Sequence, residues 1–294
     1  MKILGIDEDL CTDCKACVRV CPSQLFSMKD DNKVIYTNPF TTCVRCGHCI
    51  AICPTKAILF EDAEEPFEIP NAKKIHDIVT YDDLLKIIRI RRSIRVYKEE
   101  SIQKDKIEAI LEAMRYAPTA SNTQGWHYAI LTDKKEISYL SKEVSKFFKI
   151  SLKWLPFRYF VAPFVNRKLR KRIMNPRTKV QLEKSVERLE HGEDIIFFNA
   201  PCVIILYSRN YANSLSANDA GIALTHGMFA AQALGLGTCW IGFAQRQLQN
   251  KRRLRKHFNI PNGYQVWGVL TLGIPDIRYL RGPPRKPLKV QWFE

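Results

Sequence analysis

Two groups of cysteines are the residues of this sequence best suited to chemistry. Each group follows the spacing Cys-x2-Cys-x2-Cys-x3-Cys-Pro, at residues 11–22 and again at residues 43–54. Gaps of two residues are typical of thiolates that bind metal, whereas a disulfide scaffold spaces its cysteines more widely. The spacing therefore predicts metal binding in a reducing compartment. Zinc is one alternative, because paired Cys-x2-Cys motifs also hold zinc tetrahedrally.

The doubled motif resembles that of bacterial two-cluster ferredoxins, and its regular repeat favours iron–sulfur clusters over zinc. By this resemblance the first three cysteines of a motif ligate one [4Fe–4S] cluster, and the fourth, beside proline, ligates the other. The implied ligands are Cys11, Cys14, Cys17 and Cys53 for one cluster, and Cys43, Cys46, Cys49 and Cys21 for the other. Two neighbouring clusters would form a relay for single electrons.

A second chemical signal begins at residue 91, just after a helical pattern. The segment reads Arg91-Arg92-Ser93-Ile94-Arg95-Val96-Tyr97. Guanidinium groups form paired hydrogen bonds to phosphate, and a cation stabilises the negative charge of a reduced flavin. The segment resembles the FMN-binding opening of the nitroreductase family. By that resemblance its three arginines and its serine contact the phosphate, the ribityl chain and the pyrimidine edge of FMN.

Three later segments resemble the same family and occur in the same order. Residues 117–126 resemble a loop that reaches the flavin of a partner subunit, with Gly125 where proline is usual. Residues 233–242 resemble a turn whose amides face the flavin ring, and residues 272–287 resemble a closing segment that adds a phosphate ligand. The implied FMN contacts are Pro118, Thr119, Ala120, Asn122, Gln124, Trp240, Ile241, Gly242 and Arg285. The resemblance also implies an obligate homodimer.

Helices and strands must position these residues. Apolar residues at helical spacing predict a helix over 105–116, and short β-type runs predict strands at 203–207 and 266–270. The resemblance implies an α+β fold, in which a central, mainly antiparallel sheet is flanked by helices. Composition divides the chain into three parts, residues 1–60, 61–80 and 81–294. By the resemblance, the first is a two-cluster ferredoxin domain and the last is an FMN domain, with a linker between them.

Positive charge is concentrated in one part of the chain. The formal net charge is +16, and residues 142–179 contribute +11 of it, with twelve Lys or Arg against one Glu. Eight cluster-bound thiolates and two oxidised cluster cores would lower the total to about +12. No nucleic-acid partner is predicted, because no recognition fold accompanies the charge.

The basic segment lies in an insertion at about 140–195, which minimal members of the family lack. Basic and apolar residues recur there at helical spacing, with breaks at Pro156 and Pro163. Three interpretations stay open: a helical flap packed over the dimer, which is preferred, a lid that sets substrate specificity, and a contact with a membrane surface.

The fusion of the two modules predicts the function. A nitroreductase that takes hydride from NAD(P)H needs no clusters, so ferredoxin is predicted as donor, with NAD(P)H as the alternative. The acceptor would be a small activated molecule such as a nitroaromatic, a quinone or an enone. No catalytic side chain is predicted, because the flavin carries the chemistry. An electron-transfer flavoprotein serving a partner protein and a membrane-surface quinone reductase are the rival functions. The lack of a leader or a spanning segment predicts a cytoplasmic location.

Overall fold

A computed structural model describes residues 1–69, 78–209 and 215–294 of the 294-residue chain. The described residues form two compact units. The N-terminal unit contains the described residues of 1–80 together with residues 119–124, and the second unit contains the described residues of 81–118 and 125–294. Part of the predicted linker, residues 70–77, lies outside the described residues.

The N-terminal unit is built from short elements that occur in pairs. Its strands are β1 (Lys2–Ile6), β2 (Phe26–Met28), β3 (Val34–Tyr36) and β4 (Ile58–Glu61), and its helices are α1 (Ala16–Val20) and α2 (His48–Ile52). Strand β1 pairs with β4, and β2 pairs with β3, both antiparallel. Each helix begins inside a cysteine motif, directly after a left-handed residue: Lys15 at φ 63° and Gly47 at φ 72°. The sequence repeat is therefore also a repeat of backbone conformation.

A small apolar core surrounds the cysteines of this unit. Its buried side chains are Ile3, Cys17, Phe26, Val34, Cys49 and Ile58. A core of this size supplies limited stability, so metal binding at the cysteines is expected to contribute to folding.

A four-stranded sheet organises the second unit. Its elements are α3 (Tyr81–Ile90), α4 (Lys104–Arg115), β5 (His127–Leu131), α5 (Lys134–Trp154), α6 (Arg158–Val161), α7 (Arg167–Met174), α8 (Pro176–Glu190), β6 (Cys202–Arg209), α9 (Ser216–Ala233), β7 (Gly237–Trp240), α10 (Gly242–Asn250), α11 (Arg252–His257) and β8 (Tyr264–Gly273). The strand order is β5-β6-β8-β7, and each neighbouring pair is antiparallel. The predicted α+β fold with an antiparallel central sheet is confirmed.

Helices cover both faces of the sheet, because alternate residues of its central strands point to opposite sides. On one face Val203 and Ile205 pack with residues of α5, α10 and α11. On the other face Ile204 and Leu206 pack with residues of α4 and α9. Strand β6 is therefore apolar at nearly every position, as expected for a strand buried on both sides.

The basic insertion begins in α5 and continues through α8. Helix α5 ends at Trp154, two residues before Pro156, and Pro163 lies in a second short turn at residues 162–164. These breaks follow the prediction, because proline removes a helical hydrogen bond and clashes with the preceding turn. Among the described residues, no helix is both long enough and apolar enough to span a bilayer.

Candidate functional site

The eight motif cysteines line two cavities, and each cavity draws thiols from both motifs. One is lined by Cys11, Cys14 and Cys17 together with Cys53. The other is lined by Cys43, Cys46 and Cys49 together with Cys21. This grouping has the crossed arrangement that the resemblance to two-cluster ferredoxins implies. In the described residues, no three Cys, His, Asp or Glu side chains converge on a single metal ion.

The chemistry of these thiols suits metal ligation. Burial raises the pKa of Cys49 to about 11 and also raises the pKa of Cys17, so neither side chain is an isolated thiolate at neutral pH. A thiol of this kind loses its proton when a cation binds the sulfur. Metal binding at these buried cysteines would therefore release their protons.

The fourth cysteine of each motif receives a hydrogen bond from a backbone amide four residues later. The amide of Ala57 donates to Sγ of Cys53 over 3.3 Å, and the amide of Leu25 donates to Sγ of Cys21 over 3.4 Å. Burial opposes ionisation of Cys53, yet hydrogen bonds from Thr55 and Ala57 leave its pKa below the ordinary value. Amide donors stabilise thiolate charge, so both positions are prepared for a metal-bound sulfur.

In the second unit, the arginine segment runs alongside strand β7. Ser93 forms a parallel bridge with Thr238, and the amide of Ile94 donates to the Thr238 carbonyl over 3.0 Å. Burial raises the pKa of the Cys239 thiol, and nearby Arg95 and Ser93 partly offset that rise. Ser93 and Arg95 therefore lie beside the buried thiol of β7.

Arg285 lies close enough to Arg91 for their charges to interact, although the two residues are far apart in sequence. Burial lowers the pKa of the Arg91 guanidinium, and the positive charges of Arg92 and Arg285 lower it further. In the described part of the chain, no carboxylate forms an ion pair with Arg91 or Arg285. Guanidinium groups that lie together without a carboxylate partner can bind an anion with more than one negative charge, such as a phosphate monoester.

Arg92 is oriented differently from its neighbour. Its Nη1 donates to the carbonyl oxygens of Arg89 and Arg91, each over 2.6 Å, and its Nη2 donates to the Arg281 carbonyl over 3.3 Å. This guanidinium therefore ties the end of α3 to the C-terminal segment. Its predicted contact with FMN stays a prediction.

In the turn after β7, Gly242 is better placed than Ile241 to contact FMN through its backbone amide. The amide of Ile241 donates to the Val269 carbonyl over 2.8 Å, so this N–H group is already used in the sheet. Gly242 is the first residue of α10, where amides have no partner within the helix. A Cβ added to Gly242 would have no protein atom within 4 Å. Trp240, 36% exposed, directs its Nε1 to Oε1 of Gln245 over 2.8 Å.

The loop predicted to reach a partner's flavin carries unusual backbone conformations. Pro118 belongs to the second unit, whereas Thr119, Ala120, Asn122 and Gln124 belong to the N-terminal unit. Asn122 and Gln124 have φ values of 50° and 46°, a left-handed conformation that asparagine tolerates but that is uncommon for glutamine. Within the N-terminal unit, Nδ2 of Asn122 donates to the Arg45 carbonyl over 2.6 Å. The contact of this loop with a flavin stays a prediction.

Comparison with known proteins identifies both parts of the chain. The sequence model of the nitroreductase family matches residues 88–274, which is more than half of the chain. This chain belongs to the nitroreductase family. A 4Fe–4S dicluster domain matches residues 10–73 and so accounts for the N-terminal cysteines of this nitroreductase. The predicted family, ferredoxin-type domain and oxidoreductase class are confirmed.

Alignments with two curated relatives cover most of this chain and most of each relative. Nitrobenzene nitroreductase of Ectopseudomonas oleovorans is 28% identical over 208 residues, covering 66% of this chain and 86% of the relative. FMN reductase [NAD(P)H] of Bacillus subtilis is 25% identical over 206 residues, covering 69% of this chain and 70% of the relative.

Solved structures support the fold. A Bacteroides fragilis nitroreductase with bound FMN superposes with a TM-score of 0.53 at 21% identity, covering 72% of this chain and 99% of its own. A Desulfitobacterium hafniense nitroreductase with bound FMN gives a TM-score of 0.52 at 22% identity, covering 71% of this chain and 97% of its own.

Two residues that sequence analysis did not assign a role hold the arginine segment of this nitroreductase in place. The hydroxyl group of Tyr97 lies 2.8 Å from the Ile94 carbonyl, to which it donates, and 2.7 Å from Oγ1 of Thr271. Oγ1 of Thr271 also accepts from the Cys239 amide over 3.1 Å. The available signal was Thr271 in the otherwise apolar stretch 266–273 of β8, because a buried hydroxyl group requires a partner.

Proposed function

We propose that this nitroreductase binds FMN in its second unit and two [4Fe–4S] clusters in its N-terminal unit. Electrons from a donor would enter through the clusters and leave from the flavin to a small activated acceptor. The observation that carries this proposal is the crossed grouping of eight thiols around two cavities. A flavin enzyme that accepted hydride directly would have no use for such a relay.

The side chains near β7 fit FMN. Arg91 and Arg285 supply positive charge without a carboxylate partner among the described residues, which suits the FMN phosphate. The open space above Gly242 suits a flat ring, because a side chain there would obstruct it. The solved Bacteroides fragilis relative has bound FMN, and the Bacillus subtilis relative is named an FMN reductase.

The residues assigned to FMN have distinct tasks. Arg91 and Arg285 would bind the phosphate, whereas Ser93 and Arg95 would orient the ribityl chain and the pyrimidine edge. The amide at Gly242 would donate to the ring edge. When bound, FMN would supply hydride or electron-pair transfer and the clusters single-electron transfer. No side chain is assigned proton transfer.

We further propose ferredoxin as the donor, and a nitroaromatic, a quinone or an enone as the acceptor. The fused dicluster domain supports a one-electron donor. Relatives named nitrobenzene nitroreductase and chloronitrobenzene nitroreductase support a nitroaromatic acceptor. The family relationship is consistent with a homodimer and a cytoplasmic location, which belong to the same proposal.

The test is an anaerobic comparison of two reductants. Protein isolated with intact clusters and flavin is mixed with reduced ferredoxin or with NADPH, and flavin bleaching is followed by stopped-flow absorbance. We expect fast bleaching by ferredoxin. The double variant Cys14→Ala/Cys46→Ala should lose this reaction, because it removes a ligand from each cavity.

A buried cysteine outside the motifs provides the matched control. Cys202 is fully buried in β6, and Cys202→Ala should bleach as fast as the unaltered protein. The proposed route is refuted if NADPH bleaches the flavin of Cys14→Ala/Cys46→Ala as fast as reduced ferredoxin bleaches the flavin of the unaltered protein. Equal rates with ferredoxin would refute it as well.

A further inference from the structure

The basic insertion is anchored at its base on the core of the second unit. Leu140 and Val144 of α5 are fully buried against the sheet. Leu182 and Val186 of α8 pack against the same core. Both helices are therefore fixed where the insertion leaves and rejoins the fold.

At the end of α5 and between the two helices, the chain presents apolar side chains to solvent. This aromatic tip comprises the exposed residues Ile150, Trp154, Phe157, Tyr159, Phe160, Val161 and Phe164. Phe160 is 79% exposed and Phe164 is 88% exposed, whereas nearby Leu155 is only 6% exposed. Folding of the protomer thus buries Leu155 and Ala162 beside the tip and leaves most of the tip's aromatic area uncovered. Exposed apolar patches of this kind mark interaction surfaces.

Cationic side chains border the aromatic tip on both sides. This cationic collar comprises the exposed residues Lys149, Lys153, Arg167, Arg170, Lys171 and Arg172. The single acidic residue of 142–179 is Glu143, and its carboxylate pairs with Lys146 instead. In the part of the chain that the structure describes, no carboxylate forms an ion pair with the collar. Its positive charge is therefore available to an anionic partner.

The two features together select one type of partner. Aromatic side chains favour the boundary between lipid headgroups and acyl chains, and basic residues near that boundary attract anionic headgroups. A dimer in which this surface packed against its own copy would bring collar against collar, which is unfavourable. We propose that the aromatic tip and its cationic collar dock on an anionic lipid surface, with the aromatic rings inserted at headgroup depth.

Vesicle flotation of the full chain tests the proposal. We expect retention by vesicles of phosphatidylcholine and phosphatidylglycerol in equal parts, and no retention by phosphatidylcholine alone. The variant Arg170→Gln/Lys171→Gln/Arg172→Gln should weaken binding on the order of 100-fold, since each cation near the surface accounts for roughly fivefold. Lys104→Gln/Lys106→Gln, which alters one exposed and one half-buried lysine on α4, outside the insertion, is the control and should bind normally.

A second variant separates insertion from simple charge attraction. Phe157→Ser/Phe160→Ser/Phe164→Ser keeps every cation but should lose most of its vesicle binding. Brominated lipid should quench fluorescence less in Trp154→Phe than in Trp292→Phe, because Trp292 is exposed outside the insertion. The proposal is overturned if the serine variant binds as tightly as the unaltered protein, or if both tryptophan variants are quenched equally.

Light scattering of the same proteins tests whether a second copy of the chain covers the aromatic tip instead. The oligomeric state should be identical in the unaltered protein and in the serine variant. Dissociation of the serine variant, together with no vesicle binding by the unaltered protein, would show that a second copy covers the tip and would overturn the proposal. Unchanged cluster and flavin absorbance in each variant shows that the protein is folded.

Discussion

Removing cysteines in pairs tests whether each cluster takes ligands from both motifs. Cys53 shares a cavity with Cys14, whereas Cys21 lies in the other cavity. The pair Cys14→Ala/Cys53→Ala should therefore destroy one cluster and leave about four irons per protomer of the original eight. The pair Cys14→Ala/Cys21→Ala should damage both clusters and leave close to none.

Cys53 and Cys21 form a matched pair for this comparison. Each is the fourth cysteine of its motif, each is half-buried, and each accepts a hydrogen bond from an amide four residues later. The structural costs of the two substitutions should therefore be similar. Any difference in iron content then reports the pattern of ligation.

Iron and acid-labile sulfide are measured per protomer, with EPR of the reduced protein to count the remaining centres. Cys202→Ala should retain all of the iron, because this buried thiol lies in the second unit. Ligation within each motif would give the reverse result, with iron retained in Cys14→Ala/Cys21→Ala and lost in Cys14→Ala/Cys53→Ala. That result would refute the crossed assignment.

Two arginines, two glycines and a buried thiol provide the further predictions. Arg91→Ala and Arg285→Ala should each weaken FMN binding by about 1.5–3 kcal/mol, the range for a hydrogen bond to a charged group. Fluorescence titration of the apoprotein with FMN measures the Kd. An unchanged Kd would show that the substituted arginine does not bind the phosphate. Gly242→Ala should weaken FMN binding without lowering apoprotein stability, because its methyl group enters open space. Gly237→Ala should lower that stability by about 1–3 kcal/mol in chemical denaturation, because its methyl group would lie 2.5 Å from a side-chain carbon; equal effects of the two glycine variants would contradict the reasoning. Burial raises the pKa of Cys202 to about 12, above that of the unfolded chain, so the stability from its neutral thiol is complete below about pH 9. Between about pH 9 and 12 that contribution should fall by about 1.4 kcal/mol per pH unit, and denaturation of Cys202→Ala in parallel should lack this component.

Much of the fold and part of the site follow from local sequence. The cysteine spacing predicts metal ligation because thiols separated by two residues lie on one turn of the chain. The apolar run at 203–207 predicts a buried strand, since a strand covered on both faces needs apolar residues at successive positions. The antiparallel sheet and the cluster domain were implied by the resemblance, which joins several such local signals.

Residues with the same local appearance acquired different surroundings only in the tertiary structure. Arg91 and Arg92 are adjacent and chemically identical, yet Arg92 binds backbone carbonyls and Arg91 lies near Arg285. Likewise, the amide of Ile241 is used by the sheet, whereas Gly242 begins a helix. Sequence spacing does not encode such differences, because they depend on which distant carbonyl or cation packs nearby.

The grouping of the thiols also depends partly on local sequence and partly on the tertiary structure. Spacing alone determined that three cysteines of each motif act together, because the chain between them is too short to separate them. Which cavity the fourth cysteine lines depends on the tertiary structure. Cys53 lines the same cavity as Cys11, although the two residues are 42 positions apart in the sequence. Chain geometry determines which residues close in sequence lie together. The packing of strands and helices determines which residues distant in sequence come into contact.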